Sequence, residues 1–499
     1  MTTVDNSHQL KKVIKNITEE RSLFLASNRG PVQYFLDNNG KIQEKRGAGG
    51  LITALMSVLK ATGTIWFAAT LSGEDRIAAK NNPLIGIPED DPDYYVRLID
   101  IEEKIFNRYY NNISNSILWF LQHYLFDPIY TPVFDPKLAH SWKTGYKFVN
   151  ELFSDSILDA CIDEDDPLIL IQDYHLYLVA KNIRIKKPKA TIFHFIHIPW
   201  CSPDYMRLLP DYMRSDILNS LLCCDIVGLH SSRYVNNLIQ CFDEFLDVEV
   251  DYNSGEVFDG GRVVKVRAYP ISIDVNDLLE FSKSDVIKEA ERNFLYKKGD
   301  LKAIVRVDRA ELSKNIIRGF EAYALLLERH PEWLEKIKFF AYTYPSRTEI
   351  AAYRKYTDRI QKTVTDINRR FETNDWQPIE LEMTDDFPRS VASMKNFDVM
   401  LTNPIFDGMN LVAKEAAILN VRNGVIILSE NAGAMDELRD GVIPVNPFDI
   451  DSTSIALHDS LVMDAQKKAM MSKHLKDVLR KNDISNWLLG QFNDIREIL

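Results

Sequence analysis

Cysteine is scarce in this chain of 499 residues, and the few present do not pair by pattern. They are Cys161, Cys201, Cys223, Cys224 and Cys241; the count is odd, no C-x-x-C occurs, and two are adjacent. This excludes a secreted disulfide scaffold and reads as reduced, mostly buried thiols in a reducing compartment. Long apolar runs are missing too. The first twenty residues, with Leu10-Lys11-Lys12-Val13-Ile14-Lys15, lack a signal-peptide core, and no stretch of about twenty apolar residues follows. A cytoplasmic protein without a membrane partner is expected. There is no basic excess: the net charge is -12. An average field of that sign repels nucleic acid and anionic membranes, so any phosphate site must be a local basic pocket. G-x-G-x-x-G, the P-loop Lys-Ser/Thr, internal repeats and low-complexity tracts are all absent.

What is present is ordinary globular composition, 45% hydrophobic and 26% charged, on a chain long enough for two or more cores. Short branched-aliphatic runs predict strands at 22–29, 64–69, 167–173, 191–199, 225–230 and 263–268. The pattern restarts after about residue 275, at 301–307, 337–343, 379–383, 399–404, 424–429 and 442–445. Runs that are apolar on both faces suit parallel sheets covered by helices on each side. Two such sets predict an α/β chain of two doubly wound domains, 22–272 and 273–480. Tyr269-Pro270-Ile271-Ser272 lies near their boundary, with an extension at 1–21 and a terminal helix at 481–499 expected to return to the first domain. Ligands of such sheets bind at the carboxyl ends of the strands.

Five segments carry chemistry. In Val307-Asp308-Arg309-Ala310-Glu311-Leu312-Ser313-Lys314-Asn315, two cations five apart sit at a strand-to-helix turn. A planar donor fork and a mobile point charge can converge on one diphosphate, or both can be surface charges on a loop. In Asn403-Pro404-Ile405-Phe406-Asp407-Gly408-Met409-Asn410-Leu411-Val412-Ala413-Lys414-Glu415, Asp-Gly turns the chain and a helix starts near Met409. Its amino end suits an anion, Asp407 can accept from sugar hydroxyls, and Glu415 can hold ribose; the alternative is a capping Asp and a solvated Glu. Arg46-Gly47-Ala48-Gly49-Gly50-Leu51 can approach a phosphate or be an ordinary loop. Gln172-Asp173-Tyr174-His175 and His194-Phe195-Ile196-His197 end two strands. His194 and His197, three apart on an expected strand, point to opposite faces and cannot easily share a metal; core histidines are the competing reading. Ser27-Asn28-Arg29-Gly30, with Tyr110 and Trp119, combines a cation with aromatics, either as a phosphosugar pocket or as core plus a surface Arg.

Together these segments resemble trehalose-6-phosphate synthases, over about residues 22–489. The motifs, in order, are SNRGP (27–31), GAGGL (47–51), YYNNISNSILWF (109–120), QDYHL (172–176), HIPW (197–200), RAELSK (309–314), YPSR (344–347) and DGMNLVAKE (407–415). The wording VRVDRAELSKNI and YPSR is most similar to the actinobacterial-type branch. The resemblance implies a GT-B architecture, two facing Rossmann-like domains with a cleft between them. It implies that Arg309 and Lys314 hold the donor diphosphate, with Gly49 and Gly50 in a loop beneath it. Asp407 would grip the donor glucose with the backbone of Gly408, Met409, Asn410 and Leu411, and Glu415 the ribose. Arg29 and Arg347 would bind the acceptor phosphate, Tyr110, Trp119 and Asp173 would line the acceptor pocket, and His197 would stand at the reacting sugar. Two departures stand out: Ala69 where many members have tryptophan, and Phe406 where arginine is common.

The implied reaction is retaining transfer of glucose from an NDP-glucose to glucose 6-phosphate, in a homo-oligomer. No carboxylate pair stands out as nucleophile and acid, so front-face attack is expected, the leaving diphosphate taking the acceptor's proton. Alternatives are another phosphorylated acceptor, or a catalytically silent homologue. A metal-dependent transferase would need D-x-D at a strand end, whereas Asp91-Pro92-Asp93, Asp163-Glu164-Asp165 and Asp449-Ile450-Asp451 fall in loop-like contexts. No cofactor or metal is therefore expected. Turnover measured with and without EDTA should be equal; abolition by the chelator would reverse that expectation.

Overall fold

The computed structural model describes residues 6–36, 42–46, 55, 62–88 and 90–499. Contacts divide the chain into Met1–Pro270 with Ser485–Leu499, and Ile271–Ile484.

The first unit holds β1 (Leu23–Ser27), β2 (Val32–Leu36), β3 (Ile42–Arg46), β4 (Ile65–Ala69), β5 (Ile85–Ile87), β6 (Tyr94–Ile99), β7 (Leu168–Gln172), β8 (Thr191–Phe195), β9 (Ile226–Leu229), β10 (Glu249–Asp251), β11 (Glu256–Asp259) and β12 (Arg262–Ala268). All but the β2–β3 hairpin form one sheet, ordered β10-β11-β12-β9-β8-β7-β1-β4-β6-β5. The run from β12 to β6 is parallel throughout. Every residue of β1, β7 and β8 is buried, the expected consequence of helices covering both faces. The strand order reverses at β1, with β4 on one side and β7 on the other. The carboxyl ends of β1 and β7 thus flank the crevice where open α/β sheets take ligands.

Helices close the sheet through one apolar stripe each. In Ser232–Phe245 the buried Val235, Leu238, Ile239 and Phe242 follow helical spacing, and Ser231 accepts the Tyr234 N–H as N-cap. Asn107–Leu118 departs from the ordinary helix and is wound as a π-helix. Ser114, Asn115 and Ser116 donate to the carbonyls of Tyr109, Tyr110 and Asn111, five residues back, which fits the wider winding. The sequence pattern does not announce this turn, nor the β2–β3 hairpin. The residues read as an extension include a helix, Asn6–Thr18, that buries Leu10, Val13, Ile14 and Ile17.

In the second unit, β13 (Lys302–Arg309), β14 (Ile337–Tyr344), β15 (Ile379–Glu382), β16 (Val399–Thr402), β17 (Val425–Ser429) and β18 (Ile443–Val445) form an all-parallel sheet. Its order is β15-β14-β13-β16-β17-β18. Numbered by appearance that is 3-2-1-4-5-6, the doubly wound dinucleotide-fold order, with its switch point between β13 and β16. The expected α/β class with two such sheets is present, each strand run found within a few residues of its predicted place.

The last helix, Ile484–Ile498, belongs mostly to the first unit. Trp487 is buried, meets Phe195 edge-on at 5.3 Å, and its indole N–H donates to the Tyr269 carbonyl at 3.2 Å. The Tyr269 hydroxyl donates to Asp494 at 2.6 Å. Trp487→Ala removes both the packing and the bond and should cost about 3–5 kcal/mol, read as a lowered denaturant midpoint. An unchanged midpoint would show that the helix is held elsewhere.

Candidate active site

In the first unit the assigned side chains gather at the ends of β1, β7 and β8. Asp173 follows β7 with φ 73°, a conformation costly for a residue with a Cβ and stabilised here by its bonds. Its N–H donates to the Phe195 carbonyl at 2.7 Å, and its carbonyl accepts from His194 Nε2 at 3.1 Å. The Asp173 carboxylate accepts the His197 backbone N–H at 3.1 Å and lies 4.0 Å from His175 Nδ1. His197 Nε2 bonds Gln172 Oε1 at 2.9 Å, and its ring meets His230 and Trp487. Burial pushes the His194 imidazole down to about 4 and the His197 imidazole well below the ordinary value, so both are neutral at pH 7.

The strand predicted over 191–199 ends at Phe195, so His194 and His197 are not two positions of one strand. His194 lies in the sheet, bonded to the Asp173 backbone, while His197 follows it on the loop. Tyr110 stacks on His175 at 5.6 Å between centroids, and Tyr109 donates to Asn28 at 3.0 Å. Trp119 is buried, stacked on His123 at 4.0 Å and tilted against Tyr174. Arg29 follows β1 and is exposed. Ala69 ends β4, buried, its N–H donating to the Asn28 carbonyl. Gly49 and Gly50 lie outside the described residues.

The second unit's site is built around the buried Arg306 of β13. It donates to Asp308 at 2.8 Å, to the Ile316 carbonyl at 3.2 Å, to the Lys314 carbonyl at 2.9 Å, and to the Asn403 side chain. Asn315, left-handed at φ 56°, donates to the Asn403 and Pro447 carbonyls. The loops after β13 and β16 are thereby stitched together, and Lys314 Nζ reaches Asp407 at 2.6 Å. Burial lowers the Lys314 ammonium's pKa, but Asp407, Asp308 and Glu311 outweigh it and hold the net shift upward. Arg309 is half exposed and touches Glu311 at 3.2 Å. Arg347, left-handed at φ 45°, donates to Glu311 at 3.1 Å and to Tyr353 at 2.8 Å. Burial alone would raise Glu311, yet Arg309, Arg347 and Lys314 hold it at about 2.

The helix expected near Met409 begins at Leu411, and its cap is Asn410 rather than Asp407. Asn410, at φ 80°, accepts the Ala413 N–H and donates to Asp407 at 3.2 Å. Asp407 is consequently left to side-chain partners, with Phe406 and Gly408 beside it. The loop is braced from below: Gly433 N–H donates to the Asp407 carbonyl and Ala434 N–H to the Met409 carbonyl. A Cβ on Gly433 would stand 2.0 Å from the Gly408 oxygen, so only glycine permits this approach.

The sequence pattern of glycosyltransferase family 20 matches residues 21–497. The chain belongs to glycosyltransferase family 20. It is 29% identical over 479 residues, 95% of its length, to alpha,alpha-trehalose-phosphate synthase [UDP-forming] A of Dictyostelium discoideum, and spans 62% of that relative. The E. coli trehalose-6-phosphate structure bound with UDP-2-fluoro glucose superposes at TM-score 0.84 with 26% identity, covering 96% of this chain and 99% of that one. An alpha,alpha-trehalose-phosphate synthase (UDP-forming) from Burkholderia xenovorans, in complex with glucose-6-phosphate, gives TM-score 0.82 and 27% identity, covering 95% and 100%.

Several residues of this family member escaped the sequence reading. Arg306 had one signal, a lone charge inside the apolar run Ala303-Ile304-Val305-Arg306-Val307. Asn403 and Asn315 had none, because their role depends on two loops meeting. Glu311 stood in a quoted motif without a role. Among the described residues His330, Glu332 and His458 form a group that could hold a metal, their candidate ligand atoms within 4.8 Å. The two imidazoles stack at 3.7 Å and 15°, so their ring-plane lone pairs run parallel rather than converging, and the group lies outside every assigned motif. No described helix is long and apolar enough to cross a membrane.

Glu415 is half-buried on the Leu411–Leu419 helix, and burial raises its carboxyl to about 7 from 4.5. With the folded pKa above the unfolded one, the folded state holds the extra proton between pH 4.5 and 7. This group's contribution to stability is therefore full below that window and is lost as pH rises through it. Glu415→Gln should flatten that slope in thermal unfolding measured from pH 4 to 8; an identical slope would assign the pH dependence to other groups.

Proposed function

We propose that this chain transfers glucose, with retention, from UDP-glucose to glucose 6-phosphate, giving trehalose 6-phosphate and UDP. The observation that carries it is the arrangement at the second unit's switch point, where Lys314 pairs with Asp407 and Arg309 stands half exposed. A fork donor and a mobile ammonium together suit a nucleoside diphosphate, and an acceptor of hydroxyl hydrogen bonds suits the sugar beside it. The family match, the UDP-forming relatives and the neighbour holding glucose-6-phosphate support the same substrates.

In this reading Arg309 and Lys314 take the diphosphate, Lys314 sharing itself between phosphate and Asp407. Asp407 accepts from glucose hydroxyls, the backbone of Gly408 to Leu411 and the helix amino end face the phosphate, and Glu415 holds the ribose. Arg29 and Arg347 take the acceptor phosphate, with Tyr110, Trp119 and Asp173 around its sugar and neutral His197 at the reacting carbon. The bond from the anomeric carbon to the β-phosphate oxygen breaks, and one to the acceptor's anomeric oxygen forms on the same face. The acceptor proton passes to the leaving phosphate oxygen, so no metal or enzymic base is required. Positioning and stabilisation of the growing phosphate charge supply the rate. The five free cysteines are consistent with a cytoplasmic enzyme, which we also propose acts as a homo-oligomer.

UDP release should occur with UDP-glucose and glucose 6-phosphate together and with neither alone, in a matrix that includes GDP- and ADP-glucose and other acceptors. Arg309→Ala or Lys314→Ala should each lower kcat on the order of 10²-fold or more. A variant with wild-type turnover would remove that cation from the mechanism, and silence with every pair would remove the reaction.

A further inference from the structure

Glu311 has no role in the reaction above, yet its carboxylate is wholly removed from solvent. One oxygen, Oε1, lies 3.2 Å from Arg309 Nη1, 3.1 Å from Arg347 Nη1, and accepts the Ser346 hydroxyl at 2.9 Å. The other, Oε2, is buried and has no hydrogen-bond partner among the described residues. A bidentate Arg pair, the strong form of a carboxylate ion pair, would use both oxygens. Burying such a charge rarely gains stability over an apolar substitute, so fold strength does not explain it.

Its position does. Arg309 ends β13 and Arg347 follows β14, the adjacent parallel strand, in which Tyr344 pairs with Arg309. The two motifs RAELSK and YPSR therefore emerge side by side and are pinned by one oxygen atom. We infer that Glu311 is a positioning residue that anchors Arg309 and Arg347 to a single oxygen, so that the grip on the donor diphosphate and the grip on the acceptor phosphate are coupled. The inference rests on the proposed assignment of those two arginines. Because Glu311 is an anion beside a phosphate site, removing its charge does not weaken the local attraction for phosphate; what is lost is orientation.

The test uses the full chain as wild type, Glu311→Gln, Arg347→Ala and the double variant. UDP affinity is measured by calorimetry and kcat by UDP release. Glu311→Gln should lower kcat about tenfold or more while leaving UDP affinity within about threefold or tighter. Arg347→Ala should change UDP affinity by about threefold or more with no acceptor present, and that change should vanish in the Glu311→Gln background. Wild-type kcat in Glu311→Gln, or an Arg347→Ala effect of equal size in both backgrounds, would overturn the coupling. If Glu311→Gln does not fold, Arg347→Ala alone decides: unchanged UDP affinity overturns the inference. Failure of the wild type to release UDP from the two substrates would instead count against the proposed reaction, while the UDP-binding cycle still reports on Glu311.

Discussion

A guanidinium sealed from water holds the second unit's site together. Arg306 spends its donors on Asp308, on the Lys314 and Ile316 carbonyls that follow β13 and on Asn403 after β16. Burying a charge of this kind is costly unless every donor is matched, and removing one partner of such a set typically costs about 3–5 kcal/mol. That requirement forces the two loops into one arrangement. Lys314 and Asp407, 93 residues apart in sequence, meet because their loops have already been tied.

The first unit solves the same problem with backbone strain rather than buried charge. Asp173 adopts a left-handed conformation, and its N–H, carbonyl and carboxylate are each engaged by a neighbouring strand end. Parallel sheets leave little choice. Strands buried on both faces have polar freedom only at their ends, and a reversal of strand order opens a gap between two of them. Asp173 follows β7 at the first unit's reversal, and Arg309 ends β13 and Asp407 follows β16, the strands that flank the second unit's.

Charge within the second site is nearly balanced rather than simply basic. Arg306, Arg309, Lys314 and Arg347 are set against Asp308, Glu311 and Asp407. In the proposed reading, an acidic protein thus keeps a phosphate pocket without a large basic field. The carboxylates hold the cations in fixed orientations, and preorganised charge is what the proposed reaction needs.

Much of this was legible in the residues alone. Apolar runs located the strands of both sheets, and motif spacing put Arg309, Lys314, Asp407 and Asp173 at strand ends, because period and spacing are local properties of the chain. The π-helix over Asn107–Leu118 was not legible: its side-chain bonds five residues back leave no distinct apolar period. Nor was Asn410 as the cap in place of Asp407: both residue types cap helices, and local sequence does not choose between them. Tertiary structure alone decided that Arg306 and Asn403, 97 residues apart, share a bond, and that Glu311 serves two arginines at the ends of adjacent strands. The physical reason is that strand order is set by crossovers between distant segments. Sequence names the groups at each strand end, and only the packed sheet determines which ends are neighbours.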